Sequence, residues 1–174
     1  VPVLDHFDAL MDTLPTGTGI AGRAAGFGKV AEGVLQTDPF AATAITQAEA
    51  LRPQIARGFG DVGNLSLPEQ QTAGKFIPRT EDSMDTRAIK SLAGLAFIRR
   101  KITNSIEKSG MKDDASYKET LSEIDKRIES KHIQALRLGV DEERLNTFLG
   151  IAGVKASELP SRITEEKIKY ILNN

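Results

Sequence analysis

The chain has 174 residues and a mass of 18.9 kDa, enough for one compact domain or two very small ones and too little for a large multidomain enzyme. Hydrophobic residues make up 40% and aromatic residues 5%, with no tryptophan, so a core must be assembled from Ala, Leu, Ile and Val. The absence of cysteine excludes a disulfide framework, a thiolate zinc site and a thiol nucleophile, and a net charge of −1 excludes a global field that would draw nucleic acid or an anionic membrane; either would need a local patch.

In chain order, Leu4, Phe7, Leu10, Met11 and Leu14 recur at helical intervals, with Asp5, Asp8 and Asp12 directed elsewhere, and predict a first helix that Pro15 and Gly17 end. A Gly- and Ala-rich segment follows over 19–35. Thr37 or Asp38 can cap the next helix, with Pro39 in its first turn and a kink at Pro53. After the turn composition GDVGN, Ser66 and Glu69 have capping-box spacing around Pro68, which predicts a short helix over 67–77 that Pro78 closes. The polar run RTEDSMD feeds a longer helix whose stripe is Ile89, Leu92, Leu95, Ala96, Ile98, Ile102 and Ile106, with Arg99 at its edge, and Gly110 stops it.

A second long helix is expected over 115–138, where Tyr117, Leu121, Ile124 and Ile128 form one face among charged residues and Gly139 supplies the C-terminal cap. Short helices are expected over 141–149 and 164–172, and no segment alternates as a strand would. The fold class read from this pattern is all-α: several helices in an elongated or loosely packed bundle, loosest in the Gly-rich N-terminal part. Charge is sparse before Thr80 and dense after it, which suggests an Ala/Gly-rich helical region over 1–80 and a charged helical region over 81–174, with 109–115 as the other candidate boundary. No repeat of fixed period is apparent.

Few segments carry the marks of chemistry. The glycines from Gly17 to Gly33 invite a phosphate-binding reading, but no strand precedes them and Lys29 is followed by Val30, against the P-loop order. Gly22 and Gly26 with their intervening alanines instead give a helix a thin packing face, while Arg23, Lys29 and Glu32 oppose membrane insertion. His6 and His132 lie far apart, so no metal ligand set converges, and His132 reads as a surface residue. The acidic pairs Asp113/Asp114, Glu142/Glu143 and Glu165/Glu166 fall where helices begin, where the helix dipole explains them without catalysis. No G-x-S-x-G elbow is present. No catalytic residue, cofactor site or metal site is therefore assigned, and the chain is not expected to be an enzyme.

Two basic clusters remain. Lys126, Arg127 and Lys131 are opposed by Glu123, Asp125 and Glu129, whereas Arg99, Arg100 and Lys101 follow an apolar helix face and are the candidate nucleic-acid contact. Tyr117, Leu121, Ile124 and Ile128, like Gly22 and Gly26, are candidate helix-packing positions, and two heptads read better as a bundle core than as a coiled coil.

The segment over 51–95 contains LRPQIAR, then GDVGNLSLPEQ, an Ile-Pro step, and Asp85-Thr86 before the long helix. It resembles a module of large bacteriophage virion proteins, found toward the C-terminal part of long tail or DNA-ejection chains. Its signature rests on turn residues (Gly63, Asn64, Ser66, Pro68, Glu69) and helix periodicity. The resemblance implies a virion component that acts by helix-mediated assembly, with other virion proteins, copies of itself and phage DNA as partners. Val1 in place of an initiator Met fits a processed chain or a fragment. The alternatives are a nucleic-acid contact through Arg99, Arg100 and Lys101, and a membrane-active segment using Phe27, Gly22 and Gly26.

Overall fold

The computed structural model describes residues 66–79, 82–109 and 114–160, together with Asp5 and Ala9. Among the described residues there are four α-helices, a short 3-10 turn and no strand, so the fold is all-α as the periodicity predicts. The helices are α1 (Leu67–Gly74), α2 (Met84–Ser109), α3 (Ala115–Arg137) and α4 (Glu142–Ile151), and the 3-10 turn is Ala156–Glu158. The expected helices over 4–14, 39–58 and 164–172, the Gly17 to Gly33 segment with Gly22, Gly26 and Phe27, and the LRPQIAR and GDVGN pieces lie outside the described residues, apart from Asp5 and Ala9, which are helical.

α1 starts at the capping box. The Glu69 carboxylate accepts from the Ser66 backbone N–H at 2.9 Å and from its hydroxyl at 2.8 Å, and Pro68 sits in the first turn, where its missing N–H costs nothing. The helix is shorter than the expected 67–77 because its end tightens. Lys75 and Phe76 donate three residues back, to Thr72 O and Ala73 O at 3.0 Å each, and this narrower turn swings Phe76 and Ile77 into the core.

α2 is the central element, and it differs from the single stripe expected for it. Every stripe residue is buried, but so is the entire run from Ser91 to Ile98, more than two full turns, as are Arg87 and Ala88. Small residues (Ala88, Ser91, Ala93, Gly94, Ala96) between the large ones allow neighbours to approach from more than one side. Beyond Ile98 burial narrows to Ile102 and Ile106, so the helix leaves the core where its sequence turns to Arg99, Arg100 and Lys101.

α3 behaves as its pattern predicts. Ile124 and Ile128 are fully buried and Tyr117 and Leu121 pack partly buried against the same core, so these packing positions are satisfied within the chain, mainly against α2. Two aspartates cap helix N-termini: Asp114 accepts from Ser116 N–H at 2.8 Å, and Asp141 accepts from Arg144 N–H at 2.7 Å.

Both α3 and α4 end in the same motif. Gly139 and Gly153 adopt φ of 75° and 69°. Val140 N–H reaches back to Ala135 O at 3.1 Å and Gly139 N–H to Leu136 O at 3.0 Å; Val154 N–H reaches Leu149 O at 2.9 Å and Gly153 N–H reaches Gly150 O at 3.0 Å. These are paired Schellman turns, each with a buried Val after the glycine, and a side chain at either glycine would strain the backbone. Two copies of one turn, used in succession, fold the C-terminal part back along α2.

The change of composition at residue 80 is not a break in packing. Ala73, Phe76 and Ile77 share one core cluster with α2, α3 and α4. The described part is dense, with Phe76, Ile89, Leu92, Ile98, Ile124 and Leu149 wholly buried; the Gly-rich part expected to be loose lies outside the described residues.

Candidate functional site

Three polar residues of the 51–95 segment, Glu69, Asp85 and Thr86, hold helices together. Glu69, besides capping α1, forms an ion pair with Lys101 of α2. That lysine lies 5.7 Å from the centre of the Phe97 ring, which in turn meets Phe76 with centroids 5.9 Å apart. The Lys101 ammonium first, then the Ser66 N–H and hydroxyl, hold the Glu69 carboxyl well below the usual range, lowered to about 2.

At the other end of α2, Arg144 of α4 forms an ion pair with Asp85 and donates to Thr86 Oγ1 at 2.6 Å. Ser83 donates to Asp85 and lies 2.8 Å from Thr86 Oγ1. Partial burial pushes the Asp85 carboxyl up, but the Ser83 hydroxyl, the Arg144 guanidinium and the Thr86 N–H outweigh it and leave the group below its ordinary value. In the loop between, Asp82 accepts from Arg79 N–H at 2.7 Å and clasps the Lys90 ammonium at 2.6 Å. Asp85-Thr86 is thus a docking point for α4, a role that sequence inspection does not show because Arg144 is so distant along the chain.

The basic cluster Arg99, Arg100 and Lys101 is divided by the fold. Arg99 Nε donates to Asp125 of α3 at 2.6 Å, and Lys101 is taken by Glu69. Asp125, which the sequence sets against Lys126 and Arg127, is therefore drawn across to the other helix. Lys126 and Arg127 pair with Glu123 at 3.8 and 3.4 Å, and Arg127 also reaches Asp5 at 3.3 Å. Arg100 is exposed and has no carboxylate partner among the described residues; its Nη1 makes a long 3.5 Å bond to the Ala152 carbonyl at the end of α4.

Arg100 also lines a groove of about 250 Å³ between α2 and the turn that follows α4. Ala96, Arg99, Thr103 and Asn104 form one wall, and Val154, Glu158 and Leu159 the other. The Glu158 carboxylate accepts from Lys155 N–H at 3.1 Å, which caps the 3-10 turn. Thr103 Oγ1 is buried with no hydrogen-bond partner among the described residues. Helical spacing places Ala96, Arg100, Thr103 and Asn104 on one flank of α2, but nothing in the sequence signals the opposing wall.

His132 is not the plain surface residue expected. It is partly buried on α3, and that burial pushes its imidazole below its ordinary pKa. Among the described residues no group of three or more His, Asp or Glu side chains could hold a metal, and no helix is long and apolar enough to cross a membrane. No family model, curated protein or solved structure matches the chain.

Proposed function

We propose that this protein is a bacteriophage virion structural component, an internal, tail or DNA-ejection part that acts through helix-mediated assembly rather than by turnover. The reading rests on the resemblance over residues 51–95. The observation that supports it is how the signature residues are used: Glu69, Asp85 and Thr86 fasten one helix to another and Ser66 caps α1, as expected of a motif whose role is architectural. Its partners would be other virion proteins or further copies of the chain, with phage DNA as a second class.

Peptide mass mapping of purified particles tests this directly. Recovery of peptides from the chain in stoichiometric amount supports the proposal, and their absence from particles rejects it. The nucleic-acid alternative is narrowed by the geometry, since only Arg100 of the three cluster residues lacks a carboxylate partner among the described residues. On that reading, oligonucleotide binding falls steeply with salt and is lost on Arg100→Gln, while Arg99→Gln acts mainly on stability.

A further inference from the structure

The groove beside Arg100 has the chemistry of a ligand site. Its only cation free of a carboxylate among the described residues is Arg100, whose single 3.5 Å bond to a carbonyl leaves most of its guanidinium N–H groups available. Three residues further along the same flank Thr103 lines the groove, with its hydroxyl buried beneath the surface and without a partner among the described residues. Asn104 adds an amide at the rim. The remaining walls are the apolar side chains of Ala96, Val154 and Leu159. Glu158 also lines this space, and its carboxylate accepts from the Lys155 N–H of its own turn.

We propose that this groove binds a small amphiphilic oxyanion, a phosphate monoester or carboxylate carrying a short hydrocarbon group. The oxyanion sits on Arg100 and the Asn104 amide, and the hydrocarbon lies against Val154 and Leu159. The groove is below the size of a drug-like pocket, so the apolar group is short. Guanidinium geometry favours planar or tetrahedral oxyanions over halide, and the apolar walls favour a ligand with a tail over inorganic phosphate. The site does not depend on a virion role for the chain.

The test is an NMR titration of the isotope-labelled full chain with hexyl phosphate, beside inorganic phosphate, hexanol and a ten-residue thymidine oligonucleotide. Hexyl phosphate is expected to give saturable shifts confined to Arg100, Thr103, Asn104, Val154 and Leu159, and to bind about tenfold more tightly than inorganic phosphate. Arg100→Gln, which removes the charge, should weaken it about tenfold. Glu158→Gln, which keeps the cap and removes the charge, should tighten it about two- to threefold. Asn104→Ala, at an exposed position, should weaken it while leaving Tm nearly unchanged, and carries the test if Arg100→Gln disturbs folding.

Several outcomes overturn the proposal: equal affinity for inorganic phosphate and hexyl phosphate, tighter binding of the oligonucleotide at the same residues, or shifts scattered over the surface cations. An unchanged affinity in both Arg100→Gln and Asn104→Ala does so as well.

Discussion

α2 and α3 are nearly equal in length, 26 and 23 residues, yet they are stabilised in opposite ways. α3 presents one apolar seam and keeps its other faces for charge, so its burial follows directly from its spacing. α2 is enclosed over its N-terminal half and one-sided only after Ile98. A helix enclosed in this way cannot be recognised from a stripe, because Ala and Ser on its other faces read as neutral until something packs on them. The difference also explains the basic cluster: Arg99, Arg100 and Lys101 sit where α2 emerges, and two of the three are taken up by carboxylates of the neighbouring helices.

The sharpest test of this contrast places a charge on each helix. Ala93→Glu buries a carboxylate at a site with no exposure and should abolish cooperative unfolding and much of the helical circular dichroism, whereas Glu119→Ala on the outside of α3 should change stability by no more than about 0.5 kcal/mol. A folded, cooperative Ala93→Glu protein would mean that α2 is not enclosed. Next in size, Leu92→Ala and Ile124→Ala remove fully buried side chains from the two helices, and each should cost about 2–5 kcal/mol in urea unfolding. A much smaller cost at Ile124 would show that the α3 seam closes over the gap and is the looser of the two.

The paired turns allow a finer comparison. Gly139→Ala and Gly153→Ala each force a Cβ into left-handed backbone and should cost about 1–2 kcal/mol by thermal or urea unfolding. The Gly153 change should be the larger, because its new methyl meets the Arg100 guanidinium, while the space at Gly139 is open. Equal losses would show that Arg100 moves aside freely.

The smallest effect is one of pH. Glu69 has a folded pKa lowered to about 2 from an ordinary 4.5, so its contribution is fully present above pH 4.5 and is lost as the pH falls toward 2. Glu69→Gln should flatten the pH dependence of Tm in that interval and leave the profile above it unchanged in shape. A profile identical to the parent's would show that the α1 to α2 ion pair adds nothing to stability, as exposed pairs often do not.

Local chemistry made much of this legible. The capping box at Ser66, the helix starts near Asp114 and Asp141, the stop at Gly139 and the α3 seam each rest on residues within a few positions of one another, where backbone hydrogen bonding decides the outcome. The repeat of the Gly-Val turn at Gly153 was visible in principle, since IAGV follows RLGV, but turn residues alone do not declare a left-handed φ. The candidate groove was only half legible. Arg100 and its flank follow from helical spacing, whereas Val154, Glu158 and Leu159 arrive from the far side of α4. The composition change at residue 80 does not separate α1 from the core, which it meets through Ala73, Phe76 and Ile77 despite its polar neighbours, because charge density records only which residues meet water.

The sequence by itself determined the all-α class, the start of α1, the ends of α2 and α3, and the face that α3 buries, because these depend on interactions across one or two turns of chain. Only the tertiary structure decided that α2 is enclosed, that Asp125 and Glu69 take Arg99 and Lys101, that Arg144 docks on Asp85 and Thr86, and that Arg100 is left beside a groove. Those outcomes depend on which surfaces meet across long stretches of sequence, and periodicity is silent on that because it records only that a face is apolar, never what it faces.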